Sequence, residues 1–96
     1  IVGAHGGFAS DIVVDGRFAF PIPVGLDSAA ASPLLCAGVT VYSALLEAGV
    51  RPGSHVGVIG IGGLGHLAVQ FAKHMGARVT VFTSSADKAE MAAQLG

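Results

Sequence analysis

The sequence predicts an α/β fold built as strand–helix–strand–helix, the unit of a doubly wound parallel sheet. Three observations point there. Two short runs, His55-Val56-Gly57-Val58-Ile59 and Arg78-Val79-Thr80-Val81-Phe82, flank a stretch in which Leu64, Leu67, Ala68, Phe71 and Met75 recur at helical spacing. A glycine cluster from Gly60 to Gly65 joins the first run to that helix. Of the 96 residues, 52% are hydrophobic and only 11% charged, which excludes a disordered chain.

The elements follow in order. Apolar and polar residues alternate loosely from Phe8 through Ile12, Val13, Val14, Phe18, Phe20 and Ile22 to Val24. We expect two short strands of an irregular β layer there, turning at Asp15-Gly16 and kept extended by Pro21 and Pro23. Asp27 is placed to cap a short helix through Ala29, Ala30 and Ala31. Pro33 disfavours the helical state at Ser32 and predicts a bend at that point. A second helix runs from about Cys36 to Ala48, with Val39, Tyr42, Leu45 and Leu46 on one face and Gly49 closing it. Arg51-Pro52-Gly53-Ser54 is a turn into the first buried strand. The helix after the glycines ends at Gly76. The second buried strand leads to a last helix, Ala86 to Leu95, capped by Ser84 or Ser85 and stopped by Gly96. Two parallel strands make no stable sheet by themselves. We therefore expect a segment of a longer polypeptide and a homo-oligomer.

Charge and cysteine content narrow the function. Five Lys/Arg against six Asp/Glu give a net charge of −1 and no footprint for nucleic acid. One cysteine cannot form an internal disulfide, so nothing signals a secreted scaffold, and we expect a cytoplasmic protein. Residues 28–46 and 52–72 carry no Asp, Glu, Lys or Arg and are long enough to cross a bilayer. Pro33 and serines interrupt the first, and six glycines the second, so we expect no membrane span.

Gly60-Ile61-Gly62-Gly63-Leu64-Gly65 matches G-x-G-x-x-G, directly after a strand and at the start of a helix. In that context it is the dinucleotide-binding turn of a Rossmann domain. Gly60 allows the tight turn, Gly62 lets backbone amides approach a pyrophosphate, and Gly65 lets helix pack on strand. The end of the second strand should hold the ribose. An Asp or Glu there would chelate the hydroxyls of NAD. This chain instead has Thr83-Ser84-Ser85 with Lys88 beyond, groups that would hold a 2′-phosphate, so we expect NADP(H). Asp87 falls within the next helix, past the strand end. Cys36, read without context, is a small buried hydrophobe. His5, His55, His66 and His74 show no metal-ligand spacing with it.

A family resemblance changes the reading of Cys36. The run Pro33-Leu34-Leu35-Cys36-Ala37-Gly38-Val39-Thr40-Val41-Tyr42, followed by Pro52 through His66, resembles the zinc-dependent medium-chain alcohol dehydrogenases, in their NADP-preferring, cinnamyl-alcohol-dehydrogenase-like branch. Gly6-Gly7-Phe8-Ala9 and Arg17-Phe18-Ala19-Phe20-Pro21-Ile22-Pro23 are also similar to that family. The resemblance implies that residues 1–26 end a GroES-like catalytic domain, 27–50 are connecting helices, and 51–96 begin the NADP-binding Rossmann domain. It implies that Cys36 is a catalytic zinc ligand and that Thr40 lies beside the nicotinamide. It also implies cofactor contacts from Gly60, Ile61, Gly62, Gly63, Leu64, Gly65, Thr83, Ser84, Ser85 and Lys88, and hydride transfer between NADP(H) and a primary alcohol or aldehyde. Catalytic zinc needs three protein ligands, so these 96 residues by themselves should be inactive. Two other readings stand beside this one: a zinc-free quinone or enoyl reductase of the same superfamily, where no cysteine is expected at the motif, and a non-catalytic NADPH-binding module.

Overall fold

The computed structural model describes residues 6–96. The first five positions of the 1–26 segment, including His5, lie outside the described residues. The chain forms helix α1 (Ser28–Ala31), α2 (Ala37–Glu47), strand β1 (His55–Ile59), α3 (Gly63–His74), β2 (Arg78–Phe82) and α4 (Asp87–Leu95). β1 and β2 pair in parallel, His55 opposite Arg78 through Ile59 opposite Phe82. The predicted strand–helix–strand–helix order is present.

Strand parity divides the sheet into two faces. Val56 and Val58 of β1 and Val79 and Val81 of β2 pack under α3 and α4, around Ile61, Val69 and Ala92. A second cluster, Leu45, Ala72 and Ala77 with Val50, Phe71 and Met75, joins α2 to α3. On the opposite face Gly57, Ile59, Thr80 and Phe82 are exposed, Ile59 by 89%. The strands expected to be buried are thus covered on one side only, because no described residue reaches the other.

The helix ends follow local chemistry. The Asp27 carboxylate accepts from the Ala30 amide at 3.0 Å and caps α1. α2 ends with Gly49 N–H donating to Leu46 and Val50 N–H to Leu45, the paired bonds of a Schellman stop. α3 ends the same way, Gly76 donating to Lys73 and Ala77 to Ala72. Gly76 has φ +81, and a Cβ there would sit 3.0 Å from Pro52 Cα, so no other residue fits without strain. The turn at Arg51 closes with Ser54 N–H on the Arg51 carbonyl.

Several expectations are corrected. No strand forms between Phe8 and Val24; that stretch is irregular and exposed, with one 3-10 turn at Gly16–Phe18. Its backbone finds no neighbouring strand among the described residues, and alternation alone cannot supply one. Side-chain bonds from Arg17, and then its backbone amide, hold Asp15 below the usual carboxylate range at this turn. Ser32 stays helical, and α1 runs on as a 3-10 helix through Leu35. Pro33 needs no donor in this first turn. The chain bends instead at Cys36 (φ −123°, ψ −75°), where Ser28–Leu35 and Ala37–Glu47 meet at 50°. The buried residues of α2 are Gly38 and Leu45, with Val41 half-buried between them; Val39, Tyr42 and Leu46 are exposed. On α3 the deepest residues are Val69 and Ala72, which the predicted face omitted. Neither Ser84 nor Ser85 caps α4 through its side chain; Ala86 stands at the cap. Among the described residues no single helix is long and apolar enough to cross a membrane.

Candidate functional site

The glycine loop leaves β1 at Gly60, whose φ of +86° makes the turn and whose amide donates to the Phe82 carbonyl at 2.8 Å. That bond ties the loop to the end of β2. The three glycines of the motif differ physically. A Cβ on Gly65 would overlap the Gly60 carbonyl oxygen, so this glycine is required by the packing of helix on strand. Gly62 has an ordinary extended φ of −109° and nothing within 4 Å of a Cβ. The protein's own packing does not demand a glycine there; only something entering the open space would. Gly62 also stands at the N-cap of α3 without a side-chain cap, leaving the first-turn amides without intrahelical acceptors.

Two clefts flank the loop. One of about 560 Å³ is lined by Gly60, Ile61, Gly62, Thr83, Ser84, Ser85 and Lys88, with Ile59 and Phe82 as apolar walls. It contains no carboxylate: Asp87 begins α4 but does not line it. Thr83 Oγ1 accepts from the Ser85 amide at 3.2 Å, which folds the turn around the cleft. The other, about 620 Å³, is lined by Cys36, Ala37, Gly60, Gly62, Gly63, Leu64 and Gly65, with Ile59 shared between the two. Cys36 is exposed, which overturns the buried-hydrophobe reading of its thiol.

Eleven of the twelve sequence-predicted site residues thus surround one loop, on its two sides. Thr40 does not line either cleft. It lies one turn along α2, its amide donating to the Cys36 carbonyl at 3.0 Å, and is exposed. Sequence reasoning missed Ile59 and Phe82 as walls. Their signal was parity: each ends its strand on the face that α3 and α4 leave bare. No cluster of three His, Cys, Asp or Glu able to hold a metal occurs among the described residues.

The sequence model of the family described as zinc-binding dehydrogenase matches residues 63–96. A probable formaldehyde dehydrogenase of Bacillus subtilis is 53% identical over 92 residues, covering 96% of this chain and 26% of that protein. Among solved structures, a cinnamyl alcohol dehydrogenase from Sorghum bicolor superposes with a TM-score of 0.72 at 53% identity, over 78% of this chain and 22% of that one. The chain is similar to zinc-binding dehydrogenases, with the family match confined to residues 63–96. Another solved structure, CAD from Helicobacter pylori complexed with NADP(H), is 50% identical with a TM-score of 0.65, covering 67% of this chain and 18% of that one. The present chain spans about a quarter of the length of the curated dehydrogenase it matches.

Proposed function

We propose that this chain supplies the cofactor-binding loop and one metal ligand of a zinc-dependent, NADP(H)-linked alcohol dehydrogenase or aldehyde reductase. Residues 51–96 are read as the start of its nucleotide-binding domain. Residues 27–50 are the connecting helices, and residues 1–26 are the end of a GroES-like catalytic domain. The observation that carries the cofactor assignment is the carboxylate-free cleft in which Thr83, Ser84, Ser85 and Lys88 face the glycine loop. A carboxylate would repel a 2′-phosphate; three hydroxyls and an ammonium favour one. The NADP(H) complex of a family member at 50% identity supports the same choice.

The open space at Gly62 and Gly63 and the free amides of α3 fit a pyrophosphate. The exposed thiol of Cys36, in the cleft shared with that loop, fits a soft metal such as zinc, whose other ligands would come from outside these residues. When bound, zinc supplies a Lewis acid at the substrate oxygen and NADP(H) the hydride. The chain's own residues hold these groups in place. Gly60 sets the turn, the α3 amides bind the diphosphate, and Lys88 with the Thr83–Ser85 hydroxyls fixes the ribose end. Cys36 anchors the metal beside the loop, and the family resemblance alone assigns Thr40, one turn further along α2 and outside both clefts, to the nicotinamide.

The test is aldehyde reduction by the full-length polypeptide, with NADPH and NADH compared before and after metal removal. NADPH-dependent turnover abolished by chelation is expected. Turnover that survives complete metal removal would assign the chain to the zinc-free reductases. Binding of NADPH with no turnover under any condition would leave a nucleotide-binding module.

A further inference from the structure

Gly38 is buried, lies in the first turn of α2, and has no unusual backbone angle to explain it. Elsewhere in a helix interior a glycine costs about 1 kcal/mol relative to alanine. Its surroundings account for it. A Cβ at Gly38 would stand 3.1 Å from Leu34 Cβ and 3.2 Å from Leu34 Cδ2, tighter than ordinary packing. The Cδ2 contact could be relieved by rotation, but a Cβ is fixed by its backbone. Relief therefore requires the 3-10 helix Ser32–Leu35 to move away from α2. Leu34 is half-buried and lines a largely apolar groove with Leu67 and Phe71 of α3. The two helical segments meet at 50° across a single residue, and that residue is Cys36.

We infer that Gly38 is a positioning residue for Cys36. By admitting Leu34 against α2 it sets the angle between the two segments, and that angle aims the thiol into the cleft shared with the glycine loop. The inference rests on Cys36 being the metal ligand of the proposed function and adds the device that orients it. Gly38→Ala forces the 3-10 helix outward, and the hinge at Cys36 absorbs the movement. A misaimed ligand lowers metal affinity by about tenfold, the lower end of the range for residues that orient ligands. NADPH affinity stays within about twofold, because the clefted side of the loop at Thr83–Lys88 is untouched.

The experiment uses the full-length polypeptide with cobalt replacing zinc. Cobalt affinity and the sulfur-to-cobalt charge-transfer absorption are measured for wild type, Gly38→Ala, Leu34→Gly and the double variant. Expected are weakened cobalt binding and a shifted sulfur band in Gly38→Ala, with NADPH affinity preserved. The double variant, in which all three contacting Leu34 atoms are gone, should bind cobalt more tightly than Gly38→Ala. Wild-type cobalt affinity and spectrum in Gly38→Ala would overturn the inference, as would a double variant no better than Gly38→Ala. Cys36→Ser separates this failure from that of the underlying reading: if it retains the metal and the sulfur band of wild type, Cys36 is no ligand and both fall.

Discussion

Two glycines of one loop should respond to substitution in opposite ways, and the contrast isolates binding from folding. At Gly65 a Cβ overlaps the Gly60 carbonyl oxygen, a backbone atom at the exit of β1. Neither partner can rotate away, so α3 must lift from the strand. Overpacking of this kind costs about 1–3 kcal/mol, and its gain in helix propensity offsets about 1 kcal/mol at most. Gly65→Ala should therefore lose about 1–2 kcal/mol of stability. At Gly62 the backbone is extended and a Cβ meets nothing within 4 Å, so Gly62→Val should unfold within about 0.5 kcal/mol of wild type. The same valine fills the space from which the α3 amides would reach a diphosphate. Two charge-assisted hydrogen bonds lost at about 1.5 kcal/mol each amount to about 3 kcal/mol, or more than a hundredfold in affinity. Thermal unfolding and fluorescence titration with NADPH read the two effects separately. Normal NADPH affinity in a folded Gly62→Val protein would refute the pyrophosphate assignment; an undiminished midpoint in Gly65→Ala would refute the packing one.

Lys88→Ala should raise KM for NADPH about tenfold and leave NADH unchanged, because only the 2′-phosphate separates the two cofactors; steady-state kinetics with both decides it. Cys36→Ser should remove one zinc per chain by elemental analysis, with cofactor binding retained. Val69, 1% exposed between α3 and the sheet, should cost about 2 kcal/mol as alanine, from two buried methyl groups and the cavity they leave; denaturant unfolding measures it.

The elements that were legible are those whose signals are local. β1 and β2 fall on the predicted residues because each run of five is bounded by turns and by glycines with fixed tasks. Asp27 and Gly76 mark helix ends through hydrogen bonds made within a few residues. What failed depends on partners distant in sequence. The alternation from Phe8 to Val24 indicated which side chains could share a face, but a strand also needs a neighbour's backbone, and none is described. Helix faces were misjudged for a related reason. Hydrophobicity ranked Val39 and Leu46 above Gly38, whereas contact with the preceding 3-10 helix and with α3 favours the residue that takes up no space.

The site divides along the same line. Gly60, Gly65 and the Thr83–Ser85 turn could be read from spacing because the loop and the strand end are adjacent through one β-pair, closed by the Gly60–Phe82 hydrogen bond. Cys36 could not, since its approach to the loop depends on a bend 24 residues before Gly60, and only the resemblance of its motif indicated a role. The structure supplies the physical link: the bend exposes the thiol instead of burying it, and the cleft it enters is walled by the amide-bearing loop. In the proposed function one glycine-rich turn therefore borders both reaction partners. Its Thr83–Lys88 side would donate to a phosphate and its Cys36 side would supply a metal ligand, while Ile59 lines both clefts. Any substitution that enlarges Ile59 should accordingly disturb both sides at once, whereas Lys88 and Cys36 variants should each disturb one.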